Sequence, residues 1–180
     1  CEYSGPELCH VLAVSPRADG APGGWISFKG DSKKKKIKIL QEGVDKSLEA
    51  GATPVLCHPF WRWAYNAEIA LKVKRWNHFE ICNASPDCNS FPTAAYSPAD
   101  EMWDKVLSTG RRVFGIASDD AHDYFVPYKR LAPTAGTGFI MVKADGLDRK
   151  KILDAFSRGR FYASTGIALD EYRVVSGEIY

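Results

Sequence analysis

The chain has 180 residues, of which 45% are hydrophobic and 26% charged, and its formal net charge at pH 7 is +2. This length and composition are typical of a globular protein, so we expect residues 1–180 to form a single domain. A charge so close to neutrality gives no reason to expect nucleic acid or an anionic membrane as a partner. Charged residues interrupt every apolar stretch before it reaches the roughly 18–20 residues that a membrane-spanning helix needs.

The cysteines indicate a cellular compartment, and the first residues indicate where the chain begins within a domain. The five cysteines are an odd number without a C-x-x-C pair. That usage argues against a disulfide framework and favours a reducing, cytoplasmic compartment. The opening segment CEYSGPELCH has neither an initiator Met nor the basic and apolar parts of a signal peptide. We therefore expect the chain to begin partway into a domain.

Strand-length apolar runs alternate with helix-length segments, a pattern that predicts an α/β fold with mostly parallel strand pairing. The predicted strands cover residues 8–14, 53–57, 79–83, 113–117 and 138–142, and a last β-like stretch begins at residue 161. The predicted helices cover residues 32–50, 66–74, 98–108 and 148–157. We expect Gly51 to end the first helix and Ser97 to be the N-cap of the third. Loops are expected over 17–31, over 84–98 and after residue 122.

Polar side chains fall at the ends of three successive predicted strands. His58 ends one strand, Glu80 and Asn83 lie in the next, and Asp120 with His122 follows another. The carboxyl ends of parallel strands meet at one edge, where ligands gather, so we expect these groups to converge. Asp120 and His122 are two residues apart, and on an extended backbone both would reach one metal cluster.

Each position also has an interpretation without function. A histidine such as His58 is more often a hydrogen-bonded interior residue than a ligand, and the segment from Asp120 to His122 is also typical of an Asx-turn. Glu80 fits an exposed position on an edge strand equally well, and we expect His78 to lie at the surface. The sequence contains no GxSxG, Walker-type or GxGxxG motif, so metal-assisted hydrolysis fits better than nucleophilic catalysis.

Four segments resemble motifs of the PHP superfamily, named for polymerase and histidinol phosphatase domains. GATPVLCHPFW resembles its AHP strand end, FEICN its E-x-x-N strand and GIASDDAHDY its SDAH metal motif. GRFYASTG is similar to the tail of a branch that includes carbamate and ester hydrolases. The resemblance covers most of the chain in the right order. It implies an α/β fold that is part of a distorted seven-stranded (β/α) barrel, lacking the first strands of that barrel.

The resemblance also implies a set of metal ligands. Glu2 matches the bridging glutamate of the family's G-x-E strand, His10 the histidine of the next strand, and His58 the AHP histidine. Asp120 and His122 match the final Asp-x-His pair. The complete family domain holds two or three divalent ions, zinc, manganese or iron. The family's opening His-x-His strand does not occur in this sequence. We therefore expect Glu2, His10 and His58 to fill one site and the sites of Asp120 and His122 to be short of ligands.

The function implied is a metal-dependent hydrolase, most directly a phosphoesterase that uses a metal-activated water on a small phosphate ester. Lys129, Arg130 and Arg62 are candidates to bind the phosphate, although each fits an exposed loop charge at least as well. Trp61 either walls the pocket or belongs to the core. Two alternatives remain: a metal-depleted, non-catalytic binding or structural module, and a carboxyl-ester or carbamate hydrolase with the same metal chemistry.

Overall fold

A computed structural model describes residues 1–14, 31–90, 98–122, 135–171, 174–176 and 178–179. The described residues form four helices and nine strands, which confirms the expected α/β class. In chain order these are β1 Glu2–Ser4, β2 His10–Val14, α1 Ser32–Glu49, β3 Thr53–Leu56, α2 Ala67–Lys72, β4 His78–Asn83, α3 Ala99–Leu107, β5 Phe114–Ser118, β6 Phe139–Val142, α4 Arg149–Ser157, β7 Phe161–Ser164, β8 Val174–Val175 and β9 Glu178–Ile179. Among them no helix has the length and apolar character needed to cross a membrane.

The first five strands form one mixed sheet in the order β1-β2-β3-β4-β5. β3, β4 and β5 are parallel, whereas β2 is antiparallel to both of its neighbours. The expectation of mostly parallel pairing is therefore wrong: among the described strands only β3–β4 and β4–β5 are parallel, and β6–β7 and β8–β9 are also antiparallel. Residues 5–9 alone connect β1 to β2, and a parallel pair needs a crossover of about a dozen residues or more. As a result, the start of β2 lies at the same sheet edge as the carboxyl ends of β3, β4 and β5.

Side-chain caps begin three of the four helices, and the expected glycine follows the first. A capping side chain accepts a backbone hydrogen bond at the start of three helices: Asp31 for α1, Asn66 for α2 and Asp148 for α4. Gly51 follows the last turn of α1 with φ of +70°, a conformation that glycine adopts readily. The exception is α3, whose N-cap is Pro98 without a side-chain hydrogen bond. The expected cap, Ser97, lies outside the described residues, as do most of the expected loops.

Helices α1, α2 and α3 cover one face of the five-stranded sheet. Val11, Leu56 and Phe79 point to this face and join the largest hydrophobic cluster, together with Leu40 of α1 and Val106 of α3. All five side chains are almost completely buried. This layer is the main core of the protein.

The opposite face of the sheet packs against α4 and the antiparallel pair β6–β7. Val55 and Ile116 of the sheet contact Phe156 of α4 and Phe161 of β7. His78 lies in the same cluster, with no exposed surface and its ring stacked 4.5 Å from that of Phe156. The expectation of a surface His78 is therefore wrong, because β4 is an inner strand and this face is covered.

Candidate metal centre

Three donor side chains meet at the sheet edge where β2 begins and β3 ends. Glu2 lies in β1, His10 is the first residue of β2, and His58 follows β3 by two residues. Their ligand atoms all lie within 4.8 Å of one another. The Glu2 carboxylate contacts Nδ1 of His10, and its Oε1 lies 3.9 Å from Nε2 of His58. The three ligands expected to fill one site are thus brought together.

The electrostatics of this group favour positive charge. The neighbouring imidazoles of His10 and His58 hold the pKa of Glu2 well below its ordinary value, so Glu2 is a carboxylate at neutral pH. Burial by itself lowers the pKa of His58, but the nearby carboxylates of Glu2 and Glu80 outweigh that effect and raise the pKa. A position that increases the proton affinity of an imidazole also attracts a cation.

His58 has two features that fit a metal ligand. Its side chain is only 6% exposed, and Nδ1 is buried without a hydrogen-bond partner among the described residues. The nitrogen that faces Glu2 is Nε2, which is therefore the atom of His58 that would bind an ion at this group. In addition, its backbone φ is +22°, in the left-handed region that residues other than glycine rarely adopt. Imidazole and carboxylate donors of this kind suit zinc, manganese or iron. The residues present therefore fit a divalent ion.

A buried polar bridge extends from this group to β5. Oε2 of Glu80 accepts the backbone N–H of His58 at 2.5 Å and the side-chain amide of Asn83 at 3.3 Å. The same amide donates to Oδ2 of Asp120 at 3.1 Å. Glu80 is 5% exposed, so its interpretation as an exposed residue on an edge strand is wrong: β4 lies between β3 and β5. Burial raises the pKa of Glu80.

Asp120 and His122 lie near the three ligands but outside the group itself. Among the described residues, only Glu2, His10 and His58 form a cluster with metal-ligand spacing. The His122 side chain is 73% exposed, and its Nδ1 lies 2.7 Å from the backbone carbonyl oxygen of Asp120. Asp120 joins the groups at the other strand ends, as expected, through its hydrogen bond with Asn83. His122 lies only at the rim of the same cavity.

The metal-ligand group opens into a cavity of about 450 Å³. Nine side chains line it: Glu2, Ser4, His10, His58, Trp61, Ser85, Asp87, Asp120 and His122. Sequence reasoning did not single out Ser85 and Asp87, although both lie in the loop that directly follows β4 at the ligand edge. A larger cavity of about 660 Å³, between α1, α2 and α3, includes none of the three ligands. We therefore place the candidate site in the smaller cavity.

Of the candidate phosphate-binding residues, the structure describes only Arg62, which is not among the residues that line the cavity. Arg62 is exposed, and its guanidinium carbon lies 5.9 Å from the centroid of the Trp61 ring. Lys129 and Arg130 lie outside the described residues. Their binding of substrate stays a prediction.

Comparison of the chain with protein-family models, with curated protein sequences and with solved structures gives no match. The resemblance to the PHP superfamily therefore rests on the four sequence segments alone. Any assignment of function has to be argued from the geometry of the metal-ligand group and its cavity.

Proposed function

We propose that this protein is a metal-dependent hydrolase of the PHP type that acts on a small phosphate ester. The observation that carries the proposal is the group formed by Glu2, His10 and His58 at the floor of a cavity large enough for a small substrate. Nε2 of His58 faces the Glu2 carboxylate at 3.9 Å, a separation at which one cation between the two atoms would be bound by both.

The residues of this chain would have the following roles. Glu2, His10 and His58 would hold a zinc, manganese or iron ion, and Asp120 and His122 would contribute to further ions. A divalent ion held there supplies acidity to water and positive charge to the anionic oxygens of an ester. Trp61 covers the two imidazoles from one side, with its ring centroid 5.5 Å from that of His10 and 5.2 Å from that of His58.

The proposal includes a distorted seven-stranded (β/α) barrel as the complete fold. Two observations support it. The sheet β1–β5 and the pair β6–β7 pack together through the cluster around Phe156 and Phe161. The sheet face turned toward that cluster also carries Glu2, His10 and Glu80, as the strand register requires. Polar groups on an inner face at one end of a barrel are typical of (β/α) barrel active sites.

The first test is metal content followed by activity. The purified protein is dialysed against zinc, manganese or iron(II), its bound metal is measured by mass spectrometry, and hydrolysis of p-nitrophenyl phosphate is followed. We expect at least one equivalent of metal and metal-dependent turnover, both lost in His58→Gln. His78→Gln is the matched control, because it removes another buried histidine away from the cavity. Less than one equivalent of metal and no turnover would overturn the proposal.

A second candidate is a non-catalytic module that binds a single ion. Two observations favour it: His122 is turned to solvent, and none of the nine described side chains that line the cavity is a lysine or an arginine. A phosphate dianion is usually met by such side chains as well as by metal. One tightly bound equivalent without hydrolysis of any ester would favour this candidate. Turnover of p-nitrophenyl acetate without turnover of the phosphate ester would indicate a carboxyl-ester hydrolase instead.

A further inference from the structure

The backbone of His58 is held by a side chain from the neighbouring strand. Its N–H group donates to Oε2 of Glu80 at 2.5 Å, and both residues are buried. His58 lies beyond the end of β3, and a buried backbone N–H needs a hydrogen-bond partner. Glu80 supplies that partner from β4.

The backbone of Asp120 is held in a related way. Its φ is +51°, and its N–H donates to Oγ of Ser118 at 3.0 Å. The side-chain amide of Asn83 joins Glu80 to the carboxylate of Asp120. One buried carboxylate is therefore bonded directly to the backbone of His58 and, through Asn83, to the side chain of Asp120. Both His58 and Asp120 have backbone conformations that are unfavourable by themselves.

We infer that Glu80 is a positioning residue for the metal site: it fixes the backbone of His58 so that the imidazole faces Glu2 and His10, and it connects this ligand to Asp120 through Asn83. The inference rests on the proposed metal site and assigns Glu80 no contact with metal or substrate. The carboxylate is suited to this role because it accepts several hydrogen bonds at once, as Asn83 and the His58 N–H require.

Two substitutions separate the parts of this role. Glu80→Gln keeps one oxygen that accepts the His58 N–H but loses the second acceptor, whereas Glu80→Met keeps the apolar stem and loses both. We expect the metal affinity to fall roughly threefold in Glu80→Gln and roughly 10- to 100-fold in Glu80→Met, the range typical of residues that orient metal ligands. His78→Gln removes a buried polar group from the same strand and should leave the affinity unchanged.

A metal-free measurement tests the same inference. With ¹⁵N-labelled histidine, the protein gives four histidine backbone amides, and the one lost in His58→Gln identifies His58. A short hydrogen bond to a carboxylate should place this amide proton downfield of the others. We expect it to move upfield in Glu80→Gln and further upfield in Glu80→Met.

The outcomes distinguish this inference from the proposed function. If the unmodified protein binds no metal, the proposed function fails, and the amide spectrum still decides whether Glu80 holds His58. If the protein binds metal but Glu80→Met binds it equally well, or the His58 amide does not move, the positioning role is wrong. If Glu80→Met does not fold, Glu80→Gln decides by the same two readouts.

Discussion

The indole N–H of Trp61 donates to Oδ2 of Asp87 at 2.8 Å, while the other oxygen of this carboxylate accepts the hydroxyl of Ser85 at 2.6 Å. The hydrogen bond fixes the Trp61 ring at steep angles against the rings of both His10 and His58. An aromatic side chain in this position excludes water from one side of the two imidazoles. It also provides an optical probe beside the proposed ion.

We expect cobalt(II), a quencher of tryptophan emission, to reduce the fluorescence of the protein on binding, and most of that reduction to be absent in Trp61→Phe. The reason is distance, because Trp61 is the aromatic neighbour of both histidine ligands. Trp103→Phe is the matched control: its indole N–H donates to the carbonyl of Val113, away from the cavity. Equal quenching in Trp61→Phe and in the unmodified protein would place the cobalt elsewhere.

Metal binding should stabilise the folded protein, because the three ligands come together only in the folded chain. At a free metal concentration of 100 times Kd, we expect the free energy of unfolding to rise by about 2.7 kcal/mol. Urea titrations with and without zinc measure this difference. Glu2→Gln and His10→Ala should abolish it, whereas His122→Ala should leave most of it. If zinc raises the unfolding free energy of Glu2→Gln as much as that of the unmodified protein, Glu2 is not part of the metal site.

His78 should make the protein less stable in mild acid. Burial lowers its pKa below the ordinary value of 6.5, an effect only partly opposed by its hydrogen bond to the carbonyl of Phe156. The unfolded chain therefore binds more protons than the folded one, and stability falls as the pH drops below about 6.5. We expect the loss of unfolding free energy between pH 7.5 and pH 5.5 to be smaller in His78→Gln. Because other titrating groups are common to both proteins, the difference reports on His78; equal losses would contradict this prediction.

Gly159 should tolerate no side chain. It has φ of +72°, and an added Cβ would overlap the Phe114 ring. We expect Gly159→Ala to lower the free energy of unfolding by about 2–5 kcal/mol, through backbone strain and overpacking together. Gly110 has φ of +81° with no atom within 4 Å of an added Cβ, so Gly110→Ala isolates the backbone cost of about 1–2 kcal/mol. Similar losses in both variants would show that the contact with Phe114 is unimportant.

The sequence predicts the elements well, for a local reason. Apolar periodicity acts within a few positions, and β2, β3 and α1 appear close to their expected bounds. Glu2, His10 and His58 meet as the resemblance implies.

The burial and contacts that the sequence does not predict are those that depend on the order and direction of the strands. Whether Glu80 is exposed depends on whether β4 is an edge strand, and no local pattern reveals its two neighbours. The sequence predicts His78 at the surface, and the aromatic partners that bury it, Phe156 and Phe161, are distant in the sequence. The contact of Asp87 with Trp61 likewise joins two loops. Such contacts become visible only once the chain is folded.

The inner face of the main sheet is chemically divided along its length. Its polar end holds Glu2, His10 and Glu80, and its apolar part holds Val55 and Ile116 against α4 and β7. The side chains that would hold an ion are thus different from those that hold the layers together. Substitutions at the polar end can therefore change or remove the chemistry of the site while the residues that pack the layers stay the same.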